Sequence, residues 1–250
     1  MDAPYPMRNL RPVDTGDECT NCILLQHLLP AGLGIAQSRQ LDQLIYHNRP
    51  LKRHECLFRN GSEFDLLYSI RSGFLKSQIA KPGEAQRIVA FHMAGELIGM
   101  GGKTGTHFCD AIALQKSSVC KISYDELRKL SSTVPNLGRH LDQLIERWVV
   151  RSYGGALLLD KMHPSERLAF FLLNLAMRYA EFGGSRTAFK LEMPRKDLAN
   201  FLDLTPATLR TAFADLEDDR IIEMQNMSVQ IKDFARLQKI PRDYRPRRPK

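Results

Sequence analysis

Apolar positions recur along this chain with two different periods. From Pro50 to Ile122, short β-prone runs alternate with turn residues. Cys56-Leu57-Phe58 is followed by Asn60-Gly61, Leu66 to Ile70 by Ser72-Gly73, Phe74 to Ile79 by Lys81-Pro82-Gly83, and Arg87 to Phe91 by Ala94-Gly95. Phe108 to Leu114 and Ser118 to Ile122 complete the series. Regularly spaced short strands with such turns predict an all-β barrel or sandwich.

Helical spacing governs most of the rest. Ser38 is placed to cap a helix carrying Leu41, Leu44 and Ile45 on one face. Ser123-Tyr124-Asp125-Glu126 reads as a capping box. A longer helix is expected from Pro135 to Leu159, with Leu137, Leu141, Leu144 and Trp148 at three- and four-residue spacings. That stripe suits a coiled-coil seam between two copies, and equally a helix packed on its own barrel. Pro164 fits the first turn of a further helix, whose buried side would be Leu168, Phe171, Leu172, Leu175 and Met177 and whose end is Gly183-Gly184.

Near the C-terminus, Pro194 to Phe213 has the pattern of a helix-turn-helix. Leu198, Leu202 and Leu204 suit the buried side of a first helix, and Leu209, Phe213 and Leu216 that of a second. Asp203-Leu204-Thr205 forms the tight turn, with Thr205 as N-cap and Pro206 at the first helical position. In such motifs the start of the second helix enters the DNA major groove. The residues placed there are Thr205, Pro206, Ala207, Thr208, Arg210 and Thr211. Arg210 is the one long donor among them and can bind guanine O6 and N7 together. Arg195 and Lys196 are placed for phosphate contact. Arg220 to Met224 and Met227 to Ile231, around Gln225-Asn226, read as a β-hairpin, which makes the domain a winged helix.

Charge agrees with a polyanionic partner. The 250 residues carry a net charge of +8. Half of that excess lies in Pro241 to Lys250, a Pro-rich basic tail expected to be unfolded and able to add nonspecific phosphate affinity. No apolar run approaches the roughly 20 residues that span a bilayer. The first residues lack the pattern of a signal peptide, so a cytoplasmic location is expected. No His-Glu-x-x-His, phosphate loop or nucleophile elbow occurs, which argues against an enzyme. In a reducing compartment, the Cys19-Thr20-Asn21-Cys22 pair points to metal binding or redox work.

Leu67 to Gly73, Phe91 to Gly99, Val134-Pro135-Asn136-Leu137, Glu166-Arg167-Leu168-Ala169 and the helix-turn-helix together resemble the CRP/FNR family of bacterial transcription regulators, in particular its FNR branch. The resemblance covers Cys19 to about Leu237. It implies an α+β chain with a cysteine-containing segment at 1–36 and a cyclic-nucleotide-binding-like β-roll at 37–133. A dimerisation helix at 134–160 and a winged helix at 161–238 would follow, with the basic tail at 239–250. It also implies a homodimer on double-stranded DNA that contacts RNA polymerase.

The chain departs from the family pattern in three places. The segment Gly95 to Thr104 lacks the phosphate-binding Arg-Ser pair of CRP-like pockets, so no cyclic nucleotide is expected, although Lys103 and a backbone cradle could hold an anion. FNR-type proteins ligate a [4Fe-4S] cluster with three N-terminal cysteines and one from the β-roll. Cys19, Cys22 and Cys120 match three of these, and Leu28 stands where the remaining one belongs. A fourth ligand would come from His27, Cys56, Cys109, Asp17 or a small molecule. Three readings follow: an atypically ligated cluster, thiol redox or zinc at the same cysteines, or a lost sensor. Finally, Ala207 and Thr211 occupy the positions of the family's base-reading Glu and Arg, and Arg210 sits one residue before the latter. A different half-site preference is therefore expected.

Overall fold

The computed structural model describes residues 44–80, 86–99, 105–146 and 162–243. The first half is a roll of two four-stranded antiparallel sheets. One sheet has β1 (Ile45–Leu51), β8 (Ser117–Ser123), β3 (Leu66–Ser72) and β6 (Leu97–Ile98) in that order. The other has β2 (Cys56–Phe58), β7 (Asp110–Ala113), β4 (Phe74–Ile79) and β5 (Arg87–Met93).

The strands read from the sequence are present, with Phe108 and Cys109 preceding β7 rather than joining it. Two strands of the roll were not anticipated. Ile45, expected on a helix, begins β1 and pairs with Ile122, while the start of that expected helix lies outside the described residues. Pro50 near the end of that run argues against a central strand, yet β1 lies at the sheet edge, where a missing N–H costs little. The two-residue β6 is too short to give a periodic signal.

Ser123 caps α1 (Tyr124–Thr133) by accepting from the Glu126 amide. A second helix, α2, covers 135–146. Leu137 is fully buried with Val134, Leu127, Ile122 and Cys120 on its own roll, so it serves the core of its own chain rather than an exposed seam. Leu141 and Leu144 pack at the edge of the same cluster and stay partly exposed. Trp148, with the rest of the anticipated helix, lies outside the described residues.

The second half opens on α3 (Pro164–Glu181). His163 caps it in a reciprocal box with Glu166, and Pro164 takes the first position. Leu168, Phe171, Leu172 and Leu175 are buried as expected, but Met177 is 61% exposed. Ala176 and Arg178 turn inward instead. β9 (Ala188–Lys190) precedes α4 (Arg195–Leu202) and α5 (Pro206–Asp218). The hairpin β10 (Ile222–Gln225) and β11 (Ser228–Ile231) then pairs with β9 to form a three-stranded wing sheet.

A last helix, α6 (Phe234–Asp243), runs past residue 238, where the sequence suggested that order ends. Asp233 accepts from the Arg236 amide at its start, and Leu237 and Ile240, three residues apart, are buried. One apolar cluster fuses the winged helix to the roll, joining Phe74, Ile88, Phe91 and Met93 to Leu172, Leu198 and Leu216.

Candidate nucleic-acid interface

The helix-turn-helix forms at the residues whose types demand it. Asp203 ends α4 in the left-handed region, at φ 57° and ψ 47°, and its N–H reaches back to the carbonyls of Ala199 and Asn200. A short polar side chain tolerates that conformation better than most. Thr205 caps α5 by accepting from the Thr208 amide at 3.1 Å, and Pro206 occupies the first helical position. Arg167, on α3, donates to the carbonyls of Leu202 and Asp203 at 3.0 and 3.2 Å. It thereby satisfies acceptors that the end of α4 leaves open. Ser165 donates to Asp215 at 2.8 Å, tying α3 to α5. Sequence reasoning missed this use of Arg167, although the residue lies in a segment that carried the family resemblance.

At the start of α5, Pro206, Ala207, Arg210 and Thr211 are all exposed, and Thr208 is half-buried. The Thr208 and Thr205 hydroxyls share a hydrogen bond, and the Thr211 hydroxyl donates to the Ala207 carbonyl. Arg210 therefore remains the long polar side chain of this surface. Lys196 is exposed at the first turn of α4.

Beside Arg210 runs a groove of about 490 Å³ between α5, the start of α4 and the wing strand β10, lined among others by Arg195, Phe213, Glu217 and Met224. The Arg195 guanidinium lies 3.8 Å above the Phe213 ring, and its Nη1 is buried without a hydrogen-bond partner. Desolvation lowers its pKa, against the pull of the Glu217 carboxylate. A guanidinium that lines a groove beside the second helix of the motif is a cation suited to an anionic oxygen.

The expected cysteine constellation is only partly described. Cys120 is buried in the middle of β8, opposite Ser69. Cys56 and Cys109 belong to the other sheet, on β2 and just before β7, and Cys109 packs in a different cluster from Cys120. Desolvation raises both of their thiol pKa values, that of Cys109 to about 11. Among the described residues no group of three His, Cys, Asp or Glu could hold a metal. Cys19, Cys22, His27, Asp17 and Lys103 lie outside the described residues. Cys120 alone cannot hold an iron–sulfur cluster; the donor set would need Cys19 and Cys22 beside it.

Glu96, in the Gly-Glu segment of the roll, turns toward α3. Its carboxylate accepts from Arg178 Nε at 2.7 Å and Nη2 at 2.6 Å. Burial would raise its pKa, but Arg178 outweighs burial and the carboxyl titrates below its ordinary value. A water-sized cavity of about 10 Å³ lies within the roll, lined by Phe58, Ser77, His92, Ile98, His107 and Cys109, among others.

Family models match both halves of the chain: a cyclic nucleotide-binding domain at residues 48–133 and a Crp-like helix-turn-helix domain at residues 166–240. The chain is similar to the transcriptional activator protein anr of Pseudomonas aeruginosa, with 36% identity over 221 residues, 88% of this chain and 90% of that protein. It is 34% identical to the fumarate and nitrate reduction regulatory protein of Vibrio cholerae over 223 residues, 89% of each. Among solved structures, FixK2 from Bradyrhizobium japonicum shares the fold with a TM-score of 0.71 at 21% identity, over 80% of this chain and 98% of that one. A CooA mutant from Carboxydothermus hydrogenoformans does so with a TM-score of 0.64 at 16% identity, over 87% and 95%. No helix among the described residues is long and apolar enough to cross a membrane. With both domain models matched and relatives above 30% identity along most of its length, the chain belongs to the CRP/FNR family, as a non-enzymatic, helix-turn-helix DNA-binding transcription regulator related to FNR and Anr.

Proposed function

We propose that this chain acts as a homodimer that reads a two-fold symmetric DNA site with the start of α5. Arg210 is the base-reading side chain, with Thr205, Pro206, Ala207, Thr208 and Thr211 forming the surface around it. Arg195 and Lys196 hold the phosphate backbone. The observation that carries this reading is the exposed Arg210 at the start of α5, beside a groove that Arg195 helps to line. Leu141 and Leu144, partly exposed on α2, supply the start of the dimer seam, which Trp148 would extend. RNA polymerase is the protein partner that the family relationship supports. Selection of bound sequences from a random DNA pool tests the reading. A two-fold symmetric site bound in a salt-dependent manner is expected, and enrichment of no sequence would count against it.

We further infer a redox or oxygen response through Cys19, Cys22 and Cys120. What favours it is the position of the Cys120 thiol, packed with Val134 and Leu137 where the roll passes into α2. A [4Fe-4S] cluster, when bound, supplies iron–sulfur bonds sensitive to oxygen; the cysteines would hold it as thiolates. Cys120 then ties the N-terminal segment to the foot of α2, where a change of tether biases helix pairing. The relatives named as an anaerobic regulatory protein and as fumarate and nitrate reduction regulators lend this support. An absorption spectrum with iron and sulfide assays on protein reconstituted without oxygen tests it. Stoichiometric iron and sulfide, lost in Cys19→Ser and in Cys120→Ser, are expected. A colourless, iron-free protein that still binds DNA would replace this reading with a cluster-free regulator driven by thiol redox, by another ligand or by none.

A further inference from the structure

The apolar contact between the roll and the winged helix encloses a buried ion pair. Arg178 closes two bonds on the Glu96 carboxylate and adds a third, from Nη2 to the Phe91 carbonyl at 2.7 Å. Glu96 also accepts from the Met93 amide at 3.0 Å. Side-chain exposure is 9% for Arg178 and 8% for Glu96, so neither charge is shared with bulk water. Around this pair the two halves meet again. Lys76 on β4 bonds Asp197 on α4 at 2.9 Å. Asn200 on α4 accepts from the Ile88 amide at 2.7 Å and donates to the Gln86 carbonyl at 2.9 Å, which binds it to β5 like one more backbone partner. The Phe91 ring lies against both Phe171 and Phe201.

Apolar burial is non-directional and would tolerate several angles between the two halves. A buried two-point bridge between guanidinium and carboxylate does not, because its bonds have a fixed plane and direction. Such pairs contribute little net stability relative to apolar replacements, so their effect is on geometry. The anchored elements are α3 and α4, and α3 is bonded to the turn before α5 through Arg167 and to α5 itself through Ser165. Fixing α3 and α4 on β4 and β5 therefore fixes α5. In a two-fold dimer, the distance between the two reading helices sets the spacing of half-sites.

We propose that Glu96 and Arg178 form a latch that sets the angle of the winged helix on the β-roll and thereby the half-site spacing this regulator accepts. Both are positioning residues; neither touches DNA. The proposal rests on the DNA reading above for its functional consequence, and on the interdomain geometry for the latch itself.

The test uses full-length protein. In the double variant E96Q/R178M both charges leave together, so no unpaired buried charge remains, and Gln can still accept from the Met93 amide. Binding is measured against a library in which the selected half-sites are separated by every spacer up to about one helical turn, about 10 base pairs. Wild type is expected to favour one spacing on the order of tenfold, a typical size for coupling between sites. The folded double variant should lose most of that preference while keeping its affinity for random DNA. Hydrogen exchange of the free protein should rise over β5 and the last turns of α3. A folded variant with the wild-type spacing profile and exchange pattern would overturn the latch. So would an equal loss of affinity at every spacing, which is what a merely structural role produces. If the double variant does not fold, K76M/D197N at the rim of the same contact is read by the same two measurements and the same criteria. If wild type binds no DNA, the DNA reading fails, and hydrogen exchange alone still decides whether the latch exists.

Discussion

The guanidinium of Arg195, at the first position of α4, stacks 3.8 Å over the ring of Phe213 in the middle of α5. The stack holds a long, flexible side chain still and keeps one donor buried without a partner. A pre-oriented cation loses less conformational freedom when an anion arrives. Arg195→Ala should weaken specific and random DNA alike, and should reduce the slope of log affinity against log salt by about 1.8, the loss of one phosphate contact from each protomer of the dimer. Binding titrations at several salt concentrations check this; an unchanged slope would remove Arg195 from the phosphate set.

Arg210 predicts the opposite signature. Its loss should reduce affinity for the selected site by about 1–3 kcal/mol per half-site, the scale of one bidentate base contact in each, and relax preference at one base pair of each half-site. Affinity for random DNA should barely change. Equal losses on both DNAs would show that Arg210 contacts backbone rather than base.

Acid should loosen the protein through His92. This imidazole is buried on β5 and shares a 2.8 Å hydrogen bond with Ser77, and burial pushes its pKa down to about 4 from an ordinary 6.5. Between those values the unfolded chain holds more protons than the folded one, so stability falls as pH drops from 6.5 toward 4. The full loss is on the order of 3 kcal/mol. Glu96 acts in the same direction lower down: its carboxyl pKa is lowered, so its contribution is present above about pH 4.5 and lost below it. Urea midpoints between pH 7 and 5 should decline more steeply in wild type than in His92→Gln, where His107, whose pKa burial also lowers, still contributes. Parallel declines would rule out His92 as the cause.

Gly95 should resist substitution. Its φ is +95°, and a Cβ built there would lie 2.4 Å from Cδ1 of Phe182. Gly95→Ala is therefore both strained in the backbone and in collision with the interdomain contact, with an expected cost above about 1 kcal/mol. Phe182→Ala should recover the collision part and leave the backbone part, which a pair of urea titrations separates.

Much of this molecule could be read from local signals. Thr205-Pro206 and His163-Pro164 announce helix starts because a cap and a proline act within one turn. Most strands of the roll announce themselves as short β-prone runs bounded by turn residues. What stayed hidden depended on distant partners. Ile45 has helical spacing locally, and its strand character comes from pairing with Ile122, 77 positions away. Leu137 looked like a seam residue because nothing local says that Cys120 and Val134 cover it. Met177 fitted a buried stripe until Arg178 took the inward direction to reach Glu96. For the DNA surface, the sequence named the residues but not the Phe213 stack, which needs two helices in place.

The most direct test of the central claim is a competition assay between the selected site and random DNA, run for wild type and Arg210→Ala at fixed salt. Wild type should prefer its site by about 10³-fold or more, the low end for specific regulators, and the variant should lose most of that ratio without losing random-DNA affinity. Equal affinity of wild type for both DNAs would contradict the claim.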